Sequence, residues 1–566
     1  MAHFHSDNFK TFLRASTAAA ALVWGGYTAG FAATLDITGI DAASDLYETV
    51  SGGSLLREET AEDADPTTQE LLAAAQADYA RLLAVLYDKG YFAAVIKITL
   101  DGVDASAIAP VTPPKQINRA VIDIETGRKF SFSKAEIAPV APETELPEQF
   151  AAGETASLGV MKEAVTAGIE GWRDQGHAKA ELAARVPDAT LAATLRLRPG
   201  PRLRFGELAV KGQSDVTLRR IKKIAGLPTG EVYSQEQLDL AATRLRRTGA
   251  FSSVAMIEAD QITAPDVLPI TVQVTDAPKR RFGFGAELSS LDGLSVSSYW
   301  LHRNLLGGAE RLRVEGEVSG IGGDSGGTDY RLGTRFERPA TFNADTNFYA
   351  LAEIEQLDEV NYFSRQLDLE AGVERIASEE RTYSLGVGLR TAQTRDAFGE
   401  NEYTLLALPL SAEHDYRDNR LDAKDGYYAK ASVTPFVALA GSDNGVRSYI
   451  DVRGYKTFGT TRPVTFALRG QLGSVYGPTL SESPADYLFY SGGGGTVRGQ
   501  PYQSLGVDLA SGDTVGGRSF AGLSAEARWQ VRDKIGVVAF ADAGYIGAEE
   551  FYDGSGTWQS GAGLGL

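Results

Sequence analysis

Arg311-Leu312-Arg313-Val314-Glu315-Gly316-Glu317-Val318 places a charge at every second position and a small or apolar residue between them. A period of two is the pleat of a β-strand, so one face is apolar and the other ionic. The alternation recurs in Gln366-Leu367-Asp368-Leu369-Glu370-Ala371, in Ile450-Asp451-Val452-Arg453, and in Leu523-Ser524-Ala525-Glu526-Ala527-Arg528-Trp529-Gln530. From Arg281 onward the helical period is gone, and about 14 candidate strands fall in roughly 285 residues, about 20 for each strand with its connection. A soluble sandwich would bury the apolar face against a second sheet, whereas a transmembrane barrel turns it to lipid and keeps the ionic face in a wet lumen. So many charged inward positions favour the barrel over residues 281–566. Aromatic pairs near strand ends, Tyr299 with Trp300, Tyr427 with Tyr428 and Phe551 with Tyr552, suit its interfacial girdles.

The other end of the chain points to export. Lys10 and Arg14 precede an apolar stretch from Ala15 to Val23, and Gly30 and Ala32 stand at minus three and minus one, which predicts a signal peptide over 1–32 cleaved after Ala32. Gly25, Gly26, Tyr27 and Thr28 interrupt the stretch well short of the roughly 20 apolar residues of a spanning helix. Of 566 residues, 55 are basic and 74 acidic, a net charge of -19, so nucleic acid is not an expected partner. The absence of cysteine excludes disulfide scaffolds, thiolate metal sites and thiol nucleophiles, and suits an oxidising compartment. No cofactor or metal is expected.

Between Thr34 and about Ala277 strands mix with amphipathic helices, and a repeated unit aligns on Gly90, Gly176 and Gly249. Each glycine follows a helical pattern and precedes a strand, as a left-handed C-cap does. Before the third, Ser234-Gln235-Glu236-Gln237 has capping-box spacing, and Leu238, Ala241, Ala242 and Leu245 share a helical face. A shorter helix carried by Leu218, Ile221 and Ile224 precedes it. Tight connections at Glu125-Thr126-Gly127 and Arg198-Pro199-Gly200 lead into Phe130-Ser131-Phe132 and Leu203-Arg204-Phe205. The expected order is strand, helix, helix, strand, strand, three times, in α+β units over 33–113, 114–200 and 201–278.

One segment of the C-terminal half is neither strand nor ordinary turn: Ser491-Gly492-Gly493-Gly494-Gly495-Thr496-Val497-Arg498-Gly499-Gln500-Pro501-Tyr502. It is not a phosphate loop, because no Lys-Ser or Lys-Thr follows the glycines. Downstream, Phe540-Ala541-Asp542-Ala543-Gly544 puts Asp542 on the face opposite Ala541 and Ala543, hence in the lumen, and parity puts Glu526 there too. Arg498 folded inward on its loop would form a charge-assisted lock with the two carboxylates. Three unrelated lumenal charges are the other possibility, and parity leaves both open.

The Val-Arg-Gly loop, the Phe-x-Asp-x-Gly strand and the repeated units together resemble the POTRA-plus-barrel outer-membrane assembly superfamily, also called the bacterial surface antigen family, over nearly the whole mature chain. Three units point to its TamA branch. The resemblance implies that Val497, Arg498 and Gly499 form the tip of the sixth extracellular loop, that Phe540, Asp542 and Gly544 form the strand that receives it, and that Glu526 is the acidic position of the preceding strand. Gln500 stands where an aromatic usually follows the Arg-Gly pair. Asp415-Tyr416-Arg417-Asp418 matches a family turn whose later proline is Ala423 here.

The resemblance further implies a non-enzymatic factor that inserts or secretes β-rich clients of the autotransporter type. The clients would pair with POTRA edges and a barrel seam, without nucleotide. Expected partners are outer-membrane lipid, unfolded outer-membrane or autotransporter clients, and a TamB-like partner anchored in the inner membrane. A two-partner secretion exporter is the nearest alternative, though such proteins usually carry two POTRA units. A lipid hydrolase on the barrel would need His302 or His414, the only barrel histidines, beside a nucleophile. A diffusion pore leaves the N-terminal half unexplained. The family barrel has 16 strands, so the run Trp558 to Leu566 is expected to be followed by two more in a longer natural chain.

Overall fold

The computed structural model describes residues 33–566 except 62, 63, 65, 187–191, 264, 290, 324 and 533; the expected signal peptide lies outside the described residues. The fold has two compact parts, divided at Gly200.

In the first part, strand β1 (Thr34–Thr38) is followed by helices α1 (Asp45–Gly52), α2 (Leu55–Glu59) and α3 (Thr68–Asp88), then by β2 (Val95–Leu100), β3 (Val103–Asp104) and β4 (Arg119–Glu125). The sheet order is β1-β4-β2-β3, with β1 and β4 parallel. Leu71, Ala75, Leu82 and Leu86 of α3 pack on Ile98, Ile122 and Ile124, the apolar side of alternating strands. A second sheet holds β5 (Lys134–Ala138), β6 (Glu181–Val186) and β7 (Ala192–Arg198), covered by α4 (Leu158–Asp174).

Several expectations change, beginning with the first unit, which has three helices where two were expected and a short extra strand, β3. The strand 119–125 pairs inside the first sheet, so the divide between the first two sheets falls after Glu125 rather than at 113/114. The second unit has one helix where two were expected: Pro139, Pro142 and Pro147 keep the chain after β5 out of the α-helical region. Phe130 to Phe132 forms only a bridge from Ser131 to Thr155, and the strand begins at Lys134. Gly90, Gly176 and Gly249 all have positive φ, at 90°, 94° and 66°, which a residue with a Cβ rarely adopts.

The second part opens with a unit of the expected order: β8 (Arg204–Lys211), α5 (Leu218–Ala225), α6 (Gln235–Arg247), β9 (Phe251–Glu258) and β10 (Val267–Asp276). Its sheet runs β8-β10-β9, and Phe205, Ile270 and Val272 of the strands are buried together with Ile221 of α5 and Leu245 of α6.

An antiparallel sheet of 15 segments follows. It comprises β11 (Arg280–Ser289), β12 (Gly293–His302), β13 (Arg311–Ile321), β14 (Asp329–Arg338), β15 (Thr346–Asp358), β16 (Phe363–Ile376), β17 (Arg381–Asp396), β18 (Gly399–Ala407), β19 (Leu410–Asp415), β20 (Gly426–Ala440), β21 (Gly445–Phe458) and β22 (Val464–Tyr476). Two short strands, β23 (Val507–Asp508) and β24 (Thr514–Val515), pair with each other in the loop that precedes β25 (Ser519–Arg532), β26 (Ile535–Gly547) and β27 (Thr557–Gly565).

Segments β18 and β19 both pair with β17 and keep one register, Gly388 to Ala407 and Leu385 to Leu410. They are one strand whose ladder skips at Pro409, which has no N–H to give. Each segment otherwise pairs with its chain neighbour. Among the described residues no ladder joins β11 to β27.

Cross-strand rows identify the outer face. Leu369, Leu389, Leu406 and Val437 face one another across four strands, and all are exposed. A water-soluble protein rarely shows so broad an apolar surface; lipid is its natural neighbour. The opposite face carries ion pairs such as Arg313 with Glu315 at 2.6 Å and Arg335 with Glu337 at 2.7 Å.

Candidate functional site: the sixth loop inside the barrel

The connections on one end of the large sheet touch the third α/β unit: Thr217 N donates to Gly307 O at 2.9 Å, and Lys223 Nζ to Thr341 O at 2.8 Å. Because the strands alternate in direction, the turn 359–362 and the segment 477–518 lie at the far end, where 477–518 is the sixth connection.

That loop folds back on itself as an irregular ribbon. Phe489 and Gly517 exchange two backbone bonds of 2.8 Å, Ser491 and Leu505 two of 2.9 Å, and Gly493 N donates to Gln500 O at 3.1 Å. Single loop residues then reach strands far apart in the sheet. Gln500 Nε2 donates to Ser560 O on β27 at 2.8 Å, while Asn361 of the third far-end turn donates to Gln503 O at 3.1 Å. One loop can touch both regions only because the sheet curls around it.

The tip brings Arg498, Glu526 and Asp542 together. Arg498 Nε and Nη2 donate to Asp542 Oδ2 and Oδ1 at 2.7 and 2.8 Å, the forked geometry in which guanidinium matches carboxylate. Arg498 Nη1 donates to Glu526, and its backbone N–H adds a bond to Asp542 Oδ2 at 3.0 Å. The guanidinium also lies 3.9 Å from the centre of the Phe540 ring. The Asp542 side chain is 1% exposed, so its charge depends on Arg498.

Val497 is fully buried. A Cβ on Gly544 would sit 2.2 Å from Ser491 Oγ and 2.9 Å from a Val497 methyl, so the strand must be bare where the tip packs. Gly499, at φ 85°, turns the chain back.

Sequence reasoning missed the surrounding network. Arg528 pairs with Glu526 at 2.7 Å. Arg469 binds Asp451 at 2.8 Å and donates to Gly495 O at 2.9 Å, so it holds the glycine run of the tip from β22. Asp451 and Arg453 are visible as alternating charges and pair with each other along β21 at 2.8 Å, but the cross-strand partner of Asp451, Arg469, is not. Asp415 is clamped by Arg417 at 2.7 Å and Arg420 at 3.1 Å, and Ala423 is buried behind the turn. His414 Nε2 lies 2.9 Å from the Tyr383 hydroxyl, and His302 Nδ1 is 3.4 Å from the Asn304 N–H.

At the far end Gln503 Nε2 donates to Glu359 at 3.1 Å, and Tyr362 stacks on Tyr490 at 6.2 Å. Burial first, then Asp329, raises the Glu359 carboxyl to about 7.

Residues 304–566 match the Omp85 superfamily domain. Among solved structures, BamA from Haemophilus ducreyi lacking POTRA domains 1–3 is similar at a TM-score of 0.58 and 17% identity, covering 77% of this chain and 93% of that one. CdiB from Acinetobacter baumannii gives 0.45 and 11%, and CdiB from Escherichia coli 0.44 and 13%; each match covers 77% of this chain, with 83% and 84% of theirs. The BamA likeness supports the same architecture, POTRA-like units followed by a large antiparallel barrel sheet. Residues 304–566 of this chain, just under half of it, are thus similar to the Omp85 superfamily domain.

Proposed function

We propose that this chain is an outer-membrane assembly factor that inserts or secretes β-rich clients, with its α/β units in the periplasm. The observation that carries this is the Arg498 tip docked on Asp542 and Glu526 inside a sheet with an apolar exterior. Edge strands of the small sheets, such as β9, and the end strands of the large sheet offer backbone groups that an extended client segment can pair with. The third α/β unit favours the TamA-like role, with autotransporter-type clients and a TamB-like inner-membrane partner, over a two-partner exporter. The Val497, Arg498, Gly499 tip acts in this scheme as the lock on Glu526, Phe540, Asp542 and Gly544.

The test is reconstitution of the full chain in vesicles of outer-membrane lipid, followed by addition of a urea-denatured β-barrel client. Client folding, read by protease protection, should run several-fold faster than in empty vesicles and slow again with Arg498→Ala. Folding no faster than in empty vesicles would overturn the proposal.

A further inference from the structure

The sixth loop has a second point of attachment, on a wall remote from the Arg498 lock. Its first limb contains one 3₁₀ turn, Ala485–Tyr487, and presents Asp486 to Arg390 of β17. Arg390 in turn forks onto Asp368 of β16, with Nε to Oδ1 at 2.6 Å and Nη2 to Oδ2 at 3.1 Å. All three side chains are largely hidden, with exposures of 12% for Arg390, 16% for Asp368 and 7% for Asp486. Around them Arg447 Nε donates to Tyr487 O at 3.0 Å, the Tyr403 hydroxyl to Ser483 O at 3.3 Å, and Phe436 meets the Tyr487 ring edge-on at 5.4 Å. No residue of this cluster belongs to the Arg498, Glu526, Asp542 network.

We infer that Arg390 is a positioning residue that fixes the first limb of the sixth loop to β16 and β17 independently of Arg498, so that the loop is a strut held at two walls. The decisive feature is the dependence of Asp486 on one donor. Its Oδ2 binds Arg390, while its Oδ1 is buried with no hydrogen-bond partner among the described residues. Removing the guanidinium leaves a buried carboxylate with no hydrogen-bond donor and only the neighbouring charge of Arg447, itself bonded to Tyr487 O, to offset it, so the limb is driven to carry that charge to water. Asp368 stays on its strand, so the movement falls on the loop. The tip keeps its own carboxylates and stays docked. Lysine could reach one carboxylate but not fork onto Asp368 while holding Asp486.

The natural absence of cysteine makes the experiment clean. Single-cysteine variants Ser483→Cys, in the limb, and Thr496→Cys, at the tip, are labelled with a membrane-impermeant maleimide in the full chain folded into vesicles. Ser483 is only 1% exposed, so its label should be slow. Adding Arg390→Gln should speed labelling at 483 at least ten-fold and change labelling at 496 less than two-fold, with Arg390→Lys between. Adding Arg498→Ala should do the reverse. Asp486→Ala, which removes the acceptor of Arg390 and leaves the barrel wall untouched, substitutes for Arg390→Gln if that variant loses the gel shift of a folded barrel, and should release 483 by itself. The inference is overturned if 483 stays slow in these variants, if they free 483 and 496 equally, or if Arg498→Ala frees 483. Failure of client assembly in the reconstitution would leave these labelling rates unaffected, so the two proposals fall separately.

Discussion

Arg498→Ala leaves Asp542 buried and unpaired, a change that costs about 2–3 kcal/mol when one partner is 30% exposed, at or below the lower end of the range for fully buried pairs. The docked tip should lose roughly 30- to 160-fold in population relative to the released one. Protease cleavage within 493–500 of the folded protein measures it, and cleavage unchanged from the native chain would contradict the lock. Arg498, Glu526 and Asp542 are legible in the sequence because strand parity aims both acids inward and the glycine run marks a loop free to fold back. Arg390 and Asp486 are not legible, since their meeting depends on the curl of the sheet and on the path of a 42-residue connection, 477–518. Glu359 adds a pH dependence at the far end. Its carboxyl is raised to about 7 with Asp329, Asp292, Glu355 and Tyr502 around it, so the folded state favours the protonated form. The contribution of Glu359 to packing of the third far-end turn against the sixth loop is then fully present below about pH 4 and is lost as pH rises through 7. Hydroxyl-radical labelling of Tyr502 should be greater at pH 8 than at pH 6, and Glu359→Gln should remove the difference; equal labelling of the native chain at both values would exclude it.

At the scale of elements, the first two α/β units are joined by a helix cap. Asp88, the last residue of α3, accepts from Ser157 Oγ at 2.6 Å and from Gly159 N at 3.0 Å at the start of α4. Phe130 N donates to Gly90 O at 2.9 Å, and Phe92 packs on Phe130 at 6.4 Å. A carboxylate at a helix N-terminus satisfies orphan N–H groups and the positive end of the dipole. Residues 33–200, which hold both cores, should fold alone and melt in one transition. Asp88→Ala should cost about 1 kcal/mol. That corresponds to about 2–4 °C in Tm by calorimetry, and a Tm unchanged within error would show that the cap does not couple the units. The glycine-ended helices are legible from sequence, whereas the missing helix of the second unit is not legible from glycine spacing, because Pro139, Pro142 and Pro147 break the segment without disturbing that spacing. The place of β4 in the first sheet is not legible, because its parallel pairing with β1 leaves no mark in local pattern.

For the molecule as a whole, the third α/β unit and the barrel sheet are bound into one compact part by arginines. Arg220 donates to Gly308 O at 3.3 Å and to the carbonyls of Pro339 and Ala340, so it caps two turns at once. Arg244 forks onto Asp345 at 2.9 and 2.5 Å, and Arg247 reaches the same carboxylate at 3.0 Å and the Ala344 carbonyl at 2.9 Å. Two cations on one acid leave Asp345 with no substitute among the described contacts. Burial alone would raise its carboxyl, but the two arginines outweigh burial and hold it below the usual aspartate range. A depressed carboxylate stabilises the docked state above its unfolded value, near 4, and loses that contribution as pH falls through the folded value. Docking of the third unit is therefore insensitive to pH between about 5 and 8 and weakens only in acid. Asp345→Asn removes the charge while keeping the shape, and should cost about 2–3 kcal/mol of docking because two arginines lose a partly buried partner. The unit keeps its own core of Phe205, Ile221, Leu245 and Ile270, so it should stay folded and swing free rather than unfold. Spin labels placed on α6 and on the 339–345 turn of the full chain would show a narrow distance distribution in the native protein and a broad one in Asp345→Asn. A distribution equally narrow in both would mean that the carbonyl contacts of Arg220 and Lys223 hold the unit without the acid.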